Sequence, residues 1–135
     1  MIVKICFLAE GLIRDAESNS MSAFNIVEGI TPAGLPLFVQ KLAFFVLWER
    51  EPAEPERVEG QFHVLMGEER LSAANVVVEF AGLRRSRSIV YVNGLVIPRP
   101  GTIIFRIDLA GGGRGEYGIE IEPPPVVANQ ARVGL

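Results

Sequence analysis

Few side chains in this chain are of a type and spacing that could do chemistry, and none forms a recognisable catalytic set. His63 is the only histidine, so no histidine cluster can hold a transition metal, and its parity sets it opposite Phe62, Val64 and Met66 on the wet side of a strand. Cys6 is the single cysteine; it lacks an activating base nearby in sequence, sits in an apolar run and reads as a small buried hydrophobe. Glu49, Glu51, Glu54, Glu56 and Glu59 offer oxygen ligands, but with two prolines among them and no Asp or Asn they lack the spacing of a calcium loop. They read as a solvated charged segment. Arg84, Arg85 and Arg87 form the strongest basic cluster and could grip a phosphate or carboxylate partner. They serve equally as edge charges that prevent sheet-to-sheet pairing. Gly111–Gly115 lacks the Lys-Ser/Thr of a phosphate loop and is followed by a strand-like run, so it reads as a hairpin tip. No metal, cofactor or catalytic residue is therefore expected.

Whatever these residues do, strands must position them. Val76, Val78 and Phe80 alternate with Asn75 and Glu79, and Ile103, Phe105, Ile107 and Leu109 alternate with Arg106 and Asp108. Because successive side chains on a strand point to opposite faces, this period buries one face of a sheet and wets the other. Eight such runs follow one another: Ile2–Ala9, Met21–Glu28, Leu37–Glu49, Val58–Met66, Ala74–Phe80, Arg87–Val92, Thr102–Leu109 and Glu116–Glu122. The prediction is an all-β chain, a single antiparallel sandwich of jelly-roll, C2-like or immunoglobulin-like type. Asn93-Gly94 and Pro100-Gly101 are predicted tight turns, and Glu49–Glu59 a solvated loop broken by Pro52 and Pro55. The best place for a short helix is Gly11–Asn19. The domain is placed at 1–122, and 123–135, opening with Pro123–Pro125, as an extended tail, since proline cannot donate to a ladder.

A chain of 135 residues is the size of one domain. The N-terminal apolar stretch is cut at Glu10, too soon for a secretory signal. The longest apolar stretch, Leu35 to Trp48, is shorter than the roughly 20 residues of a membrane helix and is broken by Gln40 and Lys41. Net charge is −3 with the signs interspersed, which argues against nucleic acid or an anionic membrane as partner. With one cysteine the expected setting is a reducing cytoplasm.

Two runs break the parity rule. Val3, Ile5, Phe7 and Ala9 are backed by Ile2, Cys6 and Leu8, and Phe38, Leu42, Phe44, Val46 and Trp48 are backed by Leu37, Val39, Ala43, Phe45 and Leu47. A sandwich strand needs one apolar face, so a loop, the tail, a second copy or a partner must cover the other. A helix over Leu35–Val46 also fits the spacing, but the β-branched and aromatic content and Pro36 favour a strand. The functional expectation is an interaction or self-assembly module, a homo-oligomer or one that binds a protein, through strands 2–9 and 37–49. Its candidate binding residues are Phe38, Leu42, Phe44, Trp48, Arg84, Arg85 and Arg87. A second reading is a small-ligand or glycan-binding sandwich using loops 49–59 and 84–87; a third, a hydrolase, has only scattered carboxylates behind it.

Cys6-Phe7-Leu8-Ala9-Glu10, Ser22 to Ile30, Leu47-Trp48-Glu49-Arg50-Glu51 and Ile97-Pro98-Arg99-Pro100-Gly101 together resemble a family of small uncharacterised bacterial proteins of about this length. The resemblance spans nearly the whole chain and implies a β-sandwich; it brings no activity, ligand or functional residue. The family's usual Pro-Gly-aromatic strand start is here Pro100-Gly101-Thr102, a departure that touches packing only.

Overall fold

A computed structural model describes residues 1–125, which form nine strands and no helix. They are β1 (Ile2–Arg14), β2 (Met21–Ile26), β3 (Gly29–Ile30), β4 (Leu37–Glu49), β5 (Arg57–Met66), β6 (Glu69–Glu79), β7 (Arg85–Ile97), β8 (Gly101–Leu109) and β9 (Arg114–Ile121). The first sheet has the order β2-β1-β4-β7 and the second β3-β9-β8-β5-β6. Every pairing is antiparallel except β3 with β9. The extended tail expected at 123–135 lies outside the described residues from position 126 on.

The alternation in β8 is obeyed residue by residue: Ile103, Phe105, Ile107 and Leu109 are buried, and the side chains between them are not. They meet Val58, Phe62 and Val64 of β5 and the inward side chains of the first sheet in one core. Phe44 of β4 joins the two sheets, its ring centroid 5.8 Å from that of Phe62 and 6.0 Å from that of Phe105. Gly60 occupies an inward position on β5 because nothing larger fits. A Cβ there would come 2.5 Å from the Asp108 carbonyl oxygen on β8.

The doubled apolar faces of β1 and β4 have two local causes. In β1 the register slips between Val3, opposite Trp48, and Ile5, opposite Leu47. The extra residue, Lys4, switches parity, so Val3, Cys6 and Leu8 pack towards the core while Ile5 and Phe7 turn outward. In β4 the inward set is Leu42, Phe44, Val46 and Trp48 at one end but Leu37 and Val39 at the other, where their partners Ile97 and Leu95 are also buried. The switch falls at Gln40–Lys41, opposite Asn93 and Gly94. Gly94 has φ +81°, a left-handed backbone that glycine adopts without penalty, and the ladder skips the pairing of Gln40. Asn93-Gly94 is thus a kink within β7 instead of the expected turn, because pairing with β4 continues on both sides of it.

The expected helix at Gly11–Asn19 is likewise absent. Gly11–Arg14 continue β1 and pair with Met21–Phe24 of β2, with a turn between them. Asp15 accepts the Glu17 and Ser18 backbone N–H groups at 2.8 and 3.1 Å, an Asx cap that closes the turn. This hairpin arm leaves β4 after Ala9, which lies opposite Ala43. Yet Asn19 at its tip meets Arg87, which lies opposite Leu47. The arm therefore doubles back over the outer face of the first sheet, where it hides Ala43 and Phe45.

Candidate interaction surface

The structure separates the residues singled out from the sequence. Leu42, Phe44 and Trp48 lie inside the core, each at most 2% exposed, and present no surface to a partner. The correction follows from the parity switch: these three belong to the ordinary inward face of β4. Trp48 is fixed there, its indole N–H donating to Ser88 Oγ at 2.9 Å. Phe38, beyond the switch, points outward with its cross-strand partner Val96 and is 65% exposed. Its ring lies against Gly94, with ring carbons 3.4 Å from where a glycine Cβ would stand.

The three arginines sit at the far end of the strand. Glu49 is eleven residues from Phe38, about 36 Å along an extended chain. It takes Arg85 Nε at 2.8 Å and Arg84 Nη2 at 3.8 Å. The Arg85 hydrogen bond is the main cause that holds the Glu49 carboxyl below its usual range, with the charges of Arg85, Lys4 and Arg84 adding to it. Arg87 instead bonds the neutral Asn19, Nη2 to the backbone oxygen at 2.7 Å and Nη1 to Oδ1 at 3.3 Å. Each of the three arginines thus has a partner within the chain, although the Arg84 and Arg85 side chains stay more than half exposed. The 50–56 loop is solvated, as expected, but it wraps around Arg50, which is buried and donates to the Pro52 and Glu54 carbonyls of that loop and to the Leu83 carbonyl of another.

The other candidates fall as follows. His63 is half-buried on the outer face of β5, with Nδ1 shut off from solvent and unpaired. Burial, helped by the charge of Glu116, pushes the Cys6 thiol up to about 11 and leaves it a poor nucleophile. Gly111–Gly113 form the tip of the β8–β9 hairpin, as expected. The Tyr117 hydroxyl donates to the Val27 carbonyl at 2.9 Å, tying β9 to the segment after β2. Among the described residues, no group of three or more His, Cys, Asp or Glu side chains is placed to hold a metal ion, and no helix is long and apolar enough to cross a membrane.

Open surface lies on both sheets: on the second, a groove of about 580 Å³ is lined mainly by the polar side chains of Glu59, Gln61, His63, Asn75 and Asp108, and the grooves with apolar walls lie on the first. A groove of about 700 Å³ runs between the end of β2 and the start of β4, with Ile26, Phe38 and Val39 as apolar walls and Glu10, Asn25 and Lys41 as a polar rim. Asn25, at φ +52°, donates to Glu10 Oε2 at 3.0 Å and shapes one side of that rim. On the other side of β2 a second groove of about 420 Å³ lies between the arm and the sheet, lined by Ile5, Phe7, Met21, Phe45 and Leu47. Phe7 and Phe45 stack in its floor with centroids 5.0 Å apart. Sequence reasoning passed over Ile26 because an alternating strand suggests a buried face, whereas β2 pairs only with β1 and lies beside the core instead of in it. No protein-family model matches the chain, and no curated protein matches it.

Proposed function

We propose that the chain is a non-enzymatic β-sandwich of immunoglobulin-like type that serves as a protein-interaction module through the outer side of its four-stranded sheet. The observation behind this is the distribution of exposed apolar side chains. Of ten large ones among the described residues, eight come from β1, β2, β4 and β7, the strands of that sheet. Apolar walls at Phe38 and Ile26 with a charged and amide rim have the make-up of a docking surface, an apolar centre ringed by polar groups. The immunoglobulin-like reading is supported by the strand order. Without β2 and β3, β1, β4 and β7 run as A-B-E, and β9, β8, β5 and β6 as G-F-C with an added strand beside C.

Photo-crosslinking from benzoylphenylalanine placed at position 38 of the full chain in cells tests the interaction reading. One discrete heavier adduct is expected, absent when the label is at position 104 on the other sheet and lost in the Ile26→Glu variant. A smear, no adduct, or the same adduct from both positions refutes it.

A further inference from the structure

We propose that the free edge of β6 is a strand-pairing site for a second copy of this chain, giving a two-fold dimer centred on Asn75 in which the second sheets join into one. The site is separate from the Phe38 surface. Unpaired strand edges template association, and proteins blunt them by shortness, bulges, charges or distorted backbone. The other free edges here carry such devices. β3 is two residues long, β2 is kinked at Asn25, the open stretch of β1 has the Lys4 bulge, and β7 bears Arg85, Arg87 and the left-handed Gly94. β6 pairs only with β5 and runs eleven residues; its one bulge, at Leu71, lies near its start, and from Ser72 to Val78 it holds no charge, no proline and no glycine.

The direction of its backbone groups can be fixed. Phe80 N–H turns towards the β5 side, to the Glu56 carbonyl, while the Glu79 carbonyl turns away and accepts Ser86 Oγ–H at 2.6 Å. With a two-residue period, the N–H and C=O of Val77, Asn75 and Ala73 also point away from β5. Ser86 caps the edge at Glu79. Further along, a gap of about 410 Å³ separates Ala74–Val77 from Arg87–Tyr91 of β7 and leaves the edge bare.

Self-pairing about Asn75 sets Ala73 opposite Val77 of the other copy, twice, with all three residues donating and accepting. Side chains then match in kind. Small Ala73 receives Val77, which is 48% exposed in the single chain. Leu71 is an extra residue in β6, since Ser72 pairs with Val64 but Arg70 with Leu65. Counting that bulge as one step, Arg70 falls opposite Glu79 of the other copy at both ends of the ladder. Shifting the register by one two-residue step in either direction loses this match of charges. Arg70 makes no ion pair within the described residues of its own chain, whereas Glu79 has only a long contact to Arg57, at 3.7 Å.

Sedimentation velocity on the full chain is expected to show a monomer–dimer equilibrium. Val77→Lys, at an exposed site and with an unchanged thermal melt, abolishes the dimer; Phe38→Glu leaves it intact, so this result stands or falls apart from the Phe38 reading. In a Cys6→Ala background, Asn75→Cys forms a disulfide dimer on mild oxidation, because facing residues of a hydrogen-bonded pair lie about 5.5 Å apart at Cα. Ala73→Cys does not, its two copies being offset by about 14 Å along the strand. A monomer up to about 1 mM overturns the proposal. So does a dimer indifferent to Val77→Lys, or cross-linking as efficient at 73 as at 75.

Discussion

Arg50 is where a single substitution reports most sharply on what holds the loops of this molecule together. The residue is 8% exposed, and its guanidinium carbon sits 5.7 Å from the centroid of Phe80. Nε donates to the Leu83 carbonyl at 3.0 Å, and Nη1 to the Glu54 carbonyl at 3.1 Å and, more loosely, to that of Pro52 at 3.4 Å. Nη2 reaches Glu56 at 3.3 Å, and that carboxylate is mostly exposed. Each of the two short charge-assisted bonds is worth about 1.5 kcal/mol, and the stacking on Phe80 about 0.5 kcal/mol. The ion pair adds a few tenths, since water screens its exposed partner. These sum to about 4 kcal/mol, and with some recovered by water reaching the loop carbonyls Arg50→Ala should cost about 3 kcal/mol, which corresponds to roughly 10 °C in Tm for a domain of this size. Arg50→Lys, a point donor without the planar fork, should lose about half as much, and Glu56→Gln less than about 0.5 kcal/mol. Urea denaturation with a constant m-value is the assay. If Arg50→Ala costs under about 1 kcal/mol, or Glu56→Gln costs as much as Arg50→Ala, the carbonyl cage is not what fixes this loop.

Gly94→Ala should destabilise by about 1–2 kcal/mol in the same assay, because a Cβ at φ +81° is strained and meets the Phe38 ring at 3.4 Å; a neutral result would mean that the kink relaxes freely. Trp48→Phe should cost about 2 kcal/mol from lost volume and an unpaired Ser88 hydroxyl, with Ser88→Ala recovering part in the double variant, as a double-mutant cycle would read. Glu49, held low mainly by Arg85, and Glu54, held low mainly by the Glu51 N–H and then the N-terminal ammonium, have folded pKa values below the usual 4.5. Their stabilisation is full above that value and is lost as pH falls through the lowered ones, so the unfolding free energy should drop from about pH 5 to 3, with a shallower slope in Glu49→Gln. With its thiol raised to about 11, Cys6 has about one molecule in a thousand ionised at pH 8, so a disulfide reagent should label the native protein far more slowly than the protein in urea; equal rates would contradict its burial.

Much of the fold is legible in the residues because alternation and burial coincide where a strand has one inward face. The bounds of β4 are those expected, and β8 begins one residue early and ends as expected. Legibility fails where long-range pairing overrides a local signal. Asn93-Gly94 has the composition of a turn, yet β4 pairs across it and carries β7 on to Ile97. Glu69–Ala73 shows no alternation and becomes strand because the Gly67–Glu68 turn lays it on β5. Gly11–Arg14 has no apolar face to betray it, since the arm is paired along one edge only. The site was less readable than the fold. Of the four apolar residues chosen, only Phe38 faces out. Arg50, with nothing to mark it in a charged run, is held by a carbonyl from Leu83, thirty-three residues away.

Which surplus apolar residues stay exposed is decided by the direction in which the arm folds. Had β1 run straight on past Ala9, it would have continued along β4 towards Lys41 and Phe38, leaving the Phe7–Phe45 stack bare. Doubling back instead places Met21 and Asn19 over the Ala43–Leu47 stretch, and Phe45 is buried there although it faces away from the core. Arg87 alone cannot drive this, because two bonds to a neutral, exposed asparagine are worth about 1–3 kcal/mol together. The removal of the aromatic rings from water is the larger contribution, at about 1.5–3 kcal/mol for the buried Phe45 and less for the partly buried Phe7. The same movement uncovers Phe38 and Val96, which lie beyond the base of the arm where no strand returns to them. The exposed patch is therefore the counterpart of the covered one. A chain that covers its Phe7–Phe45 stack by folding an arm one way leaves Phe38 and Val96 at the opposite end of the sheet exposed.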